Sequence, residues 1–267
     1  MGTILDRPVL YWDPTSRGSS THRLLAEEPL SIRVQGKPYT VVMRTPGDEL
    51  AHAAGFCLGE GIVDTPEDVV SLAFCDDTDT NVVTITLTPE RRKDVGGHLE
   101  RRGYISQTSC GLCGKELVEE LYQSIRPLDD SRRMDVQQAR DCLESLSRHQ
   151  PLREITRTSH AAALFNTEGT LLAVAEDVGR HNALDKVIGK LFLEHRLIET
   201  TLLVLSSRIS YELVQKAARA RIPIILAVSR PTALAVELAL KLNITLACLA
   251  RGFGLYIFCG QRRLRLA

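Results

Sequence analysis

The sequence lacks an excess of charge of either sign. Its 33 Lys and Arg residues balance 33 Asp and Glu residues, which gives a formal net charge of zero over 267 residues. A general nucleic-acid binder or membrane-surface protein would carry a basic excess, so we expect neither partner. Apolar runs of the roughly 20 residues that span a bilayer are also missing. Residues 1–29 hold no apolar core of a signal peptide, so we expect a cytoplasmic protein.

Cysteine is present, but not in a pattern that builds a disulfide framework. The chain has seven cysteines, an odd number that fits a reducing compartment better than a set of paired thiols. Because a structural zinc usually takes four ligands and a second Cys-x-x-Cys pair is missing, we expect no tightly bound metal. Five cysteines lie in mostly apolar surroundings and are predicted to be small core residues: Cys57, Cys75, Cys142, Cys248 and Cys259.

The other two cysteines form the motif on which the predicted function depends. It reads Thr108-Ser109-Cys110-Gly111-Leu112-Cys113-Gly114-Lys115. Leu117, Leu121 and Ile125 follow at helical spacing, which predicts that both thiols stand at or just before a helix N-terminus. A Cys-x-x-Cys pair in that position, beside a cation, has a lowered pKa and a reactive thiolate. Half of a zinc site and an inert loop are the alternatives to a reactive pair.

A basic segment, residues 89–102, precedes the two thiols. By itself this charged and glycine-containing stretch predicts a solvated loop. Directly before two cysteines, its cations would favour the thiolate and attract an anionic ligand. The cations are Arg91, Arg92, Lys93, Arg101 and Arg102.

The chain divides into three segments with different patterns. Residues 1–27 predict a mobile N-terminal arm, and residues 28–150 an α+β domain that holds the Cys-x-x-Cys loop. Residues 151–267 alternate strands with helices, which predicts a sheet covered by helices on both faces, so the fold class is α/β. Strands are predicted at 30–34, 39–43, 69–74, 82–87, 161–165, 171–175, 201–205, 222–228, 245–249 and 255–258. Helices are predicted from residue 45 and over 136–146, 182–195, 211–220 and 232–242.

Four polar loops follow strands of the third segment, and each contains an arginine. They are residues 176–182, 206–210, 229–232 and 250–254. In sheets of this kind ligands bind at the loops beyond the strand ends. The planar guanidinium group of arginine can donate two hydrogen bonds to one phosphate, and helix N-termini favour anions. The pattern predicts a site for a phosphate-bearing ligand, with scattered surface charge as the alternative. The sequence has neither a P-loop nor a Gly-x-Gly-x-x-Gly motif.

Together these stretches resemble the FdhD family of formate dehydrogenase accessory sulfurtransferases. The resemblance implies a second half with a cytidine-deaminase-like fold and usually a homodimer, although the zinc signature of the deaminases is missing here. The matching pieces run through most of the chain in order: Glu28-Pro29-Leu30, Met43-Arg44-Thr45-Pro46-Gly47-Asp48, Gly55-Phe56, Glu60-Gly61-Ile62, the motif of Cys110 and Cys113, residues 176–186, Arg208-Ile209-Ser210 with Glu212, Ser229-Arg230-Pro231-Thr232 and the Arg251 loop.

The resemblance implies a sulfur carrier. A cysteine desulfurase would pass sulfur to Cys110 as a persulfide, with Cys113 assisting. The protein would then deliver this sulfur to Mo-bis(molybdopterin guanine dinucleotide), or its tungsten counterpart, before the cofactor enters formate dehydrogenase. The cofactor is a bound substrate in this scheme. Its implied binding segment is Cys248, Leu249, Ala250, Arg251, Gly252 and Phe253, and the neighbouring loops add Arg180, His181, Arg208, Ser210, Ser229 and Thr232.

Two other functions and several further residues stay open at this point. A dithiol oxidoreductase would cycle Cys110 and Cys113 through a disulfide, and a chaperone would only hold the cofactor. His181 and Asp185 are candidates for proton transfer, with a structural hydrogen bond as the alternative for His181. The remaining candidates are His52 and Glu60, for which a surface or hydrogen-bonding role is the alternative.

Overall fold

The structure is a computed structural model, and it describes residues 2–76, 79–102, 125–129, 131–252 and 254–266. The strands are β1 (Ile4–Trp12), β2 (Arg17–Leu25), β3 (Glu28–Val34), β4 (Lys37–Arg44), β5 (Val69–Asp76), β6 (Asp79–Leu87), β7 (Met134–Asp135), β8 (His160–Phe165), β9 (Leu171–Asp177), β10 (Leu202–Leu205), β11 (Ile224–Ala227), β12 (Thr245–Leu249), β13 (Leu255–Cys259) and β14 (Leu264–Arg265). The α-helices are α1 (Glu49–Gly59), α2 (Pro89–Arg102), α3 (Val136–Ser145), α4 (Pro151–Thr156), α5 (Arg180–Leu193), α6 (Tyr211–Arg219) and α7 (Ala233–Lys241). Within these ranges no helix is both long and apolar enough to cross a membrane.

A six-stranded sheet with the order β13-β12-β11-β10-β8-β9 forms the second half of the protein. Strands β10, β11 and β12 are parallel to one another. Strand β8 runs antiparallel to both of its neighbours, β10 and β9. Strand β9 therefore points in the same direction as β10, β11 and β12, and all four strands end at the same edge of the sheet.

Helices cover both faces of this sheet, as predicted. Successive residues of β10 point to opposite sides. Leu203 belongs to the core cluster that contains residues of α5, α6 and α7, and Val204 belongs to the cluster that contains residues of α3. This arrangement confirms the mixed α/β class. Helix α3, which the sequence analysis placed in the first domain, buries Ala139 and Leu143 against the second sheet. The division of the chain at residue 150 stays a prediction.

A four-stranded sheet with the order β4-β3-β6-β5 forms the first half. The strands predicted at 30–34 and 39–43 are confirmed as β3 and β4, which pair as an antiparallel hairpin. The turn residues Gln35 and Gly36 have φ values of 55° and 76°, as tight hairpin turns require. The following helix was predicted to begin at residue 45. It begins instead at Glu49, because Gly47 and Asp48, with φ values of 111° and 60°, lie outside the helical region.

Helix α1 lies between the two sheets and crosses α5 backbone against backbone. A Cβ atom on Gly55 would lie 1.9 Å from the carbonyl oxygen of Asp185, and one on Gly189 would lie 1.7 Å from that of Ala51. Glycine at both positions permits this close approach. One continuous apolar core therefore joins both sheets through these helices.

The prediction of a solvated loop over residues 89–102 is wrong, because these residues form α2. The side-chain oxygen of Thr88 accepts a hydrogen bond from the backbone N–H of Arg91 at 3.3 Å. Pro89 occupies the first helical position, where its missing N–H costs nothing. The cap residue and the proline are signals of a helix start. The many charged residues that follow mask the helical pattern in the sequence.

The predicted arm, residues 1–27, contains a two-stranded antiparallel hairpin that the sequence analysis did not foresee. Strands β1 and β2 pair from Ile4 with Leu25 to Trp12 with Arg17. At the turn, the carboxylate of Asp13 accepts hydrogen bonds from nearby hydroxyl and backbone groups at 2.6 to 2.9 Å. The polar sequence of β2 hides its strand character because nearly all of its side chains are exposed.

The cysteine predictions are mostly confirmed. Cys57, Cys142, Cys248 and Cys259 are buried. Cys75 is exposed, and its sulfur lies 2.9 Å from the hydroxyl of Thr84 on the neighbouring strand. The core prediction for Cys75 is therefore wrong.

Candidate functional site

The four arginine-containing loops lie together at the edge where β9, β10, β11 and β12 end. We call these loops, with the first turns of the helices that follow them, the arginine edge. The second and third loops are joined directly, because Ile209 and Pro231 form an isolated parallel bridge. The backbone N–H of Thr232 also donates to the carbonyl of Ile209 at 3.0 Å. Residues far apart in sequence thus form one continuous surface.

His181 joins the first loop to the second. Its Nε2 atom lies 2.8 Å from a carboxylate oxygen of Glu212 and 3.3 Å from the hydroxyl of Ser210. The hydrogen bond with His181 lowers the pKa of the Glu212 carboxyl. Glu212 matches the family resemblance, but the sequence predicts no role for it, because no local pattern indicates that it meets His181.

The arginines of the edge differ in how they are held. Among the described residues, the exposed guanidinium groups of Arg208 and Arg251 have no ion-pair or hydrogen-bond partner. The Nε atom of Arg180 is buried and also lacks a hydrogen-bond partner there. Arg230 instead lies over the ring of Tyr256, 5.3 Å from its centroid, as in a cation–π contact. Unpaired guanidinium groups suit an anionic ligand that supplies the missing acceptors.

Only part of the predicted binding segment 248–253 is exposed to solvent. Cys248 is fully buried at the end of β12, and burial raises the pKa of its thiol. Leu249 and Ala250 are half-buried, whereas Arg251 and Gly252 are exposed. Gly252 has a φ of 82°, which suits a sharp loop without a side chain. Phe253 lies outside the described residues.

The two polar residues of the third loop are placed differently. Ser229 is half-buried and lies two residues after the end of β11. The side-chain oxygen of Thr232 accepts from the backbone N–H of Ala235 at 3.3 Å and so caps α7. Thr232 therefore contributes to the edge mainly by fixing the helix start.

Acidic residues beneath the edge hold the fold together. Asp177 is fully buried and accepts hydrogen bonds from Lys186 Nζ at 2.7 Å, Thr45 N at 3.0 Å and Asn182 Nδ2 at 2.9 Å. These bonds tie the loop before α1 to helix α5. Asp177 is thus a structural residue.

Asp185 was a proton-transfer candidate, but it lies in the interior. Both of its carboxylate oxygens accept from Lys216 Nζ, at 2.7 and 2.9 Å. Burial raises the pKa of Asp185 to about 6, although Lys216 opposes the shift. Asp185 supports the contact between α5 and α6 and does not face the arginine edge.

His52 and Glu60, the other candidates, both belong to α1 or its end. His52 is fully buried, and its pKa lies well below the usual value because of burial and the nearby cations Lys186 and Lys216. Glu60 follows the last residue of α1 and is half-buried. Neither residue belongs to the arginine edge.

Part of the basic segment before the thiols is engaged within the fold. Arg91 donates to the carbonyl oxygens of Ile62 at 2.9 Å and Gly61 at 2.7 Å, and pairs with Asp64 at 2.6 Å. Its guanidinium therefore anchors α2 and is not available to a ligand.

The two catalytic candidates, Cys110 and Cys113, lie outside the described residues, and so does the helix start predicted for them. The described residues contain no group of three or more His, Cys, Asp or Glu side chains placed to hold a metal ion. The expectation of no bound metal concerns these two thiols above all, and it stays a prediction.

Fold and site define a mixed α/β protein with a surface suited to an anionic ligand at the carboxyl ends of aligned strands. Residues 25–265 match the model of the FdhD/NarQ family, and the chain belongs to that family. The family predicted from the sequence motifs is confirmed.

Individual relatives agree with this assignment. The sulfur carrier protein FdhD of Streptomyces avermitilis is 39% identical over 254 residues, covering 91% of this chain and 89% of the relative. The protein of the same name from Nocardia farcinica is 40% identical over 268 residues, covering 97% and 94%.

A solved structure shows the same fold. It is the crystal structure of a protein from Desulfotalea psychrophila that is described as a formate dehydrogenase accessory protein. The superposition has a TM-score of 0.79 at 23% identity and covers 99% of this chain and 100% of the other. At that identity the likeness concerns the fold alone.

Proposed function

We propose that this chain is a sulfur carrier that acts as a sulfurtransferase. It takes persulfide sulfur from a cysteine desulfurase and transfers it to the molybdenum or tungsten bis-guanine-dinucleotide cofactor before that cofactor enters formate dehydrogenase. The observation that carries the proposal is the arginine edge, found in a chain whose relatives are named sulfur carrier proteins. The Cys110 and Cys113 motif supplies the thiols. A homodimer is part of the proposal through the family resemblance.

The sulfur-accepting step is a thiol–persulfide exchange. The thiolate of Cys110 attacks the outer sulfur of a persulfide on the donor, and a new S–S bond forms as the donor's S–S bond breaks. The donor cysteine leaves as a thiolate, and the outer sulfur keeps its proton. Electrons balance without an added oxidant or reductant. Cys113 is close enough in sequence to assist by holding the persulfide in turn or by releasing it.

The arginine edge fits the phosphates at the nucleotide ends of the cofactor, which is the substrate here. Arg208 and Arg251 offer guanidinium groups that the described part of the chain leaves unpaired. The buried Nε atom of Arg180 likewise lacks an acceptor among those residues. Since a buried donor without an acceptor is costly, an anion at this edge would be stabilised by satisfying it.

Formate dehydrogenase activity in cells that lack this protein tests the proposal. The wild-type chain should restore activity, whereas Cys110→Ala should not. Cys75→Ala is the matched control, because Cys75 is an exposed thiol on β5, and it should restore activity fully. Full activity in both Cys110→Ala and Cys113→Ala would favour a chaperone that only holds the cofactor.

A further inference from the structure

Exposed acidic groups are scarce on the arginine edge. Residues 229–232 and 250–254 include none. In the first loop, the carboxylate of Glu176 accepts from backbone N–H groups at the start of α4 at 2.8 and 2.9 Å, and Asp177 is fully buried. Glu212, in the first turn of α6, has a side chain that is 54% exposed. It is therefore the carboxylate on the described edge that a ligand can reach.

The carboxylate of Glu212 is held in place and ionised. His181 Nε2 lies 2.8 Å from its Oε2 atom, and this bond lowers the pKa of Glu212, assisted by Lys216 and Arg180. Among the described residues its Oε1 atom has no hydrogen-bond partner. An ionised carboxylate has about four acceptor positions, so both oxygens retain capacity for a ligand.

Guanine is the purine base that matches such a group. It presents two neighbouring donors, N1–H and the 2-amino group, on one edge of the ring. Adenine presents an unprotonated N1 on that edge and lacks the 2-amino group. A carboxylate would accept both guanine donors and would face the lone pair of adenine N1. A site built to pair with donors rejects an analogue without them, because binding then removes the acceptor from water without supplying a partner.

We propose that Glu212 selects guanine over adenine in the nucleotide ligand of the arginine edge, with His181 as its positioning residue. The inference rests on the proposed function, which makes a guanine nucleotide the ligand. The two ends of that ligand would meet protein groups of opposite charge. Arg208 and Arg251 take the phosphates, and the acidic group takes the base.

Isothermal calorimetry on the full chain tests the proposal with GDP, IDP and ADP as probes. Wild-type protein should bind GDP most tightly and ADP most weakly, with IDP between them because it keeps N1–H and lacks the 2-amino group. In Glu212→Gln the affinity for GDP should fall about tenfold or more, since hydrogen bonds to a charged acceptor are lost. ADP affinity should not fall and should rise if anything, because the amide removes the repulsion between the carboxylate and adenine N1 and can donate to that nitrogen. Glu237→Gln, an exposed acid of α7, is the matched control.

The possible failures are distinguishable. Equal binding of GDP and ADP by the wild type, or an intact GDP preference in Glu212→Gln, would overturn the role of Glu212 and leave the sulfur carrier in place. No binding of any nucleotide to folded wild-type protein would remove the ligand of the proposed function, and this inference with it. Thermal unfolding of Glu212→Gln should match the wild type, because the side chain is largely exposed.

Discussion

At the residue scale, we expect two guanidinium groups to determine the affinity of the arginine edge for an anion. Arg208 and Arg251 are exposed and have no partner within the described chain, so they lose no internal contact on binding a ligand. We expect Arg208→Ala or Arg251→Ala to weaken GDP binding by about 1.5–3 kcal/mol, as for a hydrogen bond to a charged group. Calorimetry measures this loss, and Arg262→Ala, an exposed arginine outside the edge, is the control. Unchanged affinity in both edge variants would contradict the phosphate assignment.

The buried pair of Asp185 and Lys216 gives a second residue-scale prediction. Lys216→Met would leave the carboxylate in the interior without its partner, so the free energy of unfolding at neutral pH should fall by about 3–5 kcal/mol. Denaturant unfolding measures the change. The double variant Lys216→Met with Asp185→Leu should recover much of it, because no buried charge then remains.

The pH dependence of this loss follows from the pKa of Asp185, which burial raises from 3.8 to about 6. The folded chain therefore binds this proton more readily than the unfolded chain. The contribution to stability is greatest at low pH and declines as pH rises through about 6. In Lys216→Met the destabilisation should accordingly be smaller at pH values below this than at neutral pH. Equal destabilisation at low and at neutral pH would show that Asp185 is not the group that Lys216→Met leaves unpaired.

At the scale of elements, the crossing of α1 and α5 sets how closely the two sheets approach. A Cβ atom at Gly189 would meet the carbonyl oxygen of Ala51 at 1.7 Å, and the helices would have to move apart. We expect Gly189→Ala to lower the free energy of unfolding by about 3 kcal/mol or more. Thermal or denaturant unfolding of the purified variant measures this.

Gly96 in α2 provides the matched control for this substitution. No described atom lies within 4 Å of a Cβ atom built there. Gly96→Ala should therefore raise stability by up to about 1 kcal/mol, as for alanine in place of glycine within a helix. Similar destabilisation by Gly96→Ala and Gly189→Ala would contradict the account of the crossing.

The elements also show what the sequence could predict. Local periodicity predicted every strand and helix from β8 to β13, because each depends on its own apolar pattern. Because β9, β10, β11 and β12 run in the same direction, the loops that follow them lie at one edge of the sheet. The sequence could therefore predict that these loops form a shared site. Helix α2 and the hairpin of β1 and β2 were missed, because charged and exposed residues mask their periodicity.

Contacts between distant segments could not be predicted from the sequence. Two ion pairs each join α5 to α6: His181 with Glu212, and Asp185 with Lys216. In each pair, the sequence around one residue gives no indication of its partner. The exposure of Cys75 depends on which face of β5 meets the core. Tertiary packing, which no local pattern contains, decides all three.

At the scale of the whole molecule, the proposed chemistry draws on both halves. The arginine edge belongs to the six-stranded sheet. The Cys110 motif follows α2, whose first turn is anchored by Arg91 to the loop after α1. Helices α1 and α5 join the two halves through a single core. The two thiols of the proposed chemistry and the arginine edge thus belong to separate segments of the sequence.

The central claim is that Cys110 carries sulfur as a persulfide. Mass spectrometry of the purified chain after incubation with a cysteine desulfurase and cysteine tests it most directly. The wild type should gain the mass of one sulfur atom on Cys110. Cys113→Ala should still load, and Cys110→Ala should not load while keeping its fold. A persulfide found only on Cys113 would reverse the assignment. No persulfide on either thiol, together with a reversible disulfide between them that supports turnover, would contradict the sulfur carrier and indicate a dithiol oxidoreductase.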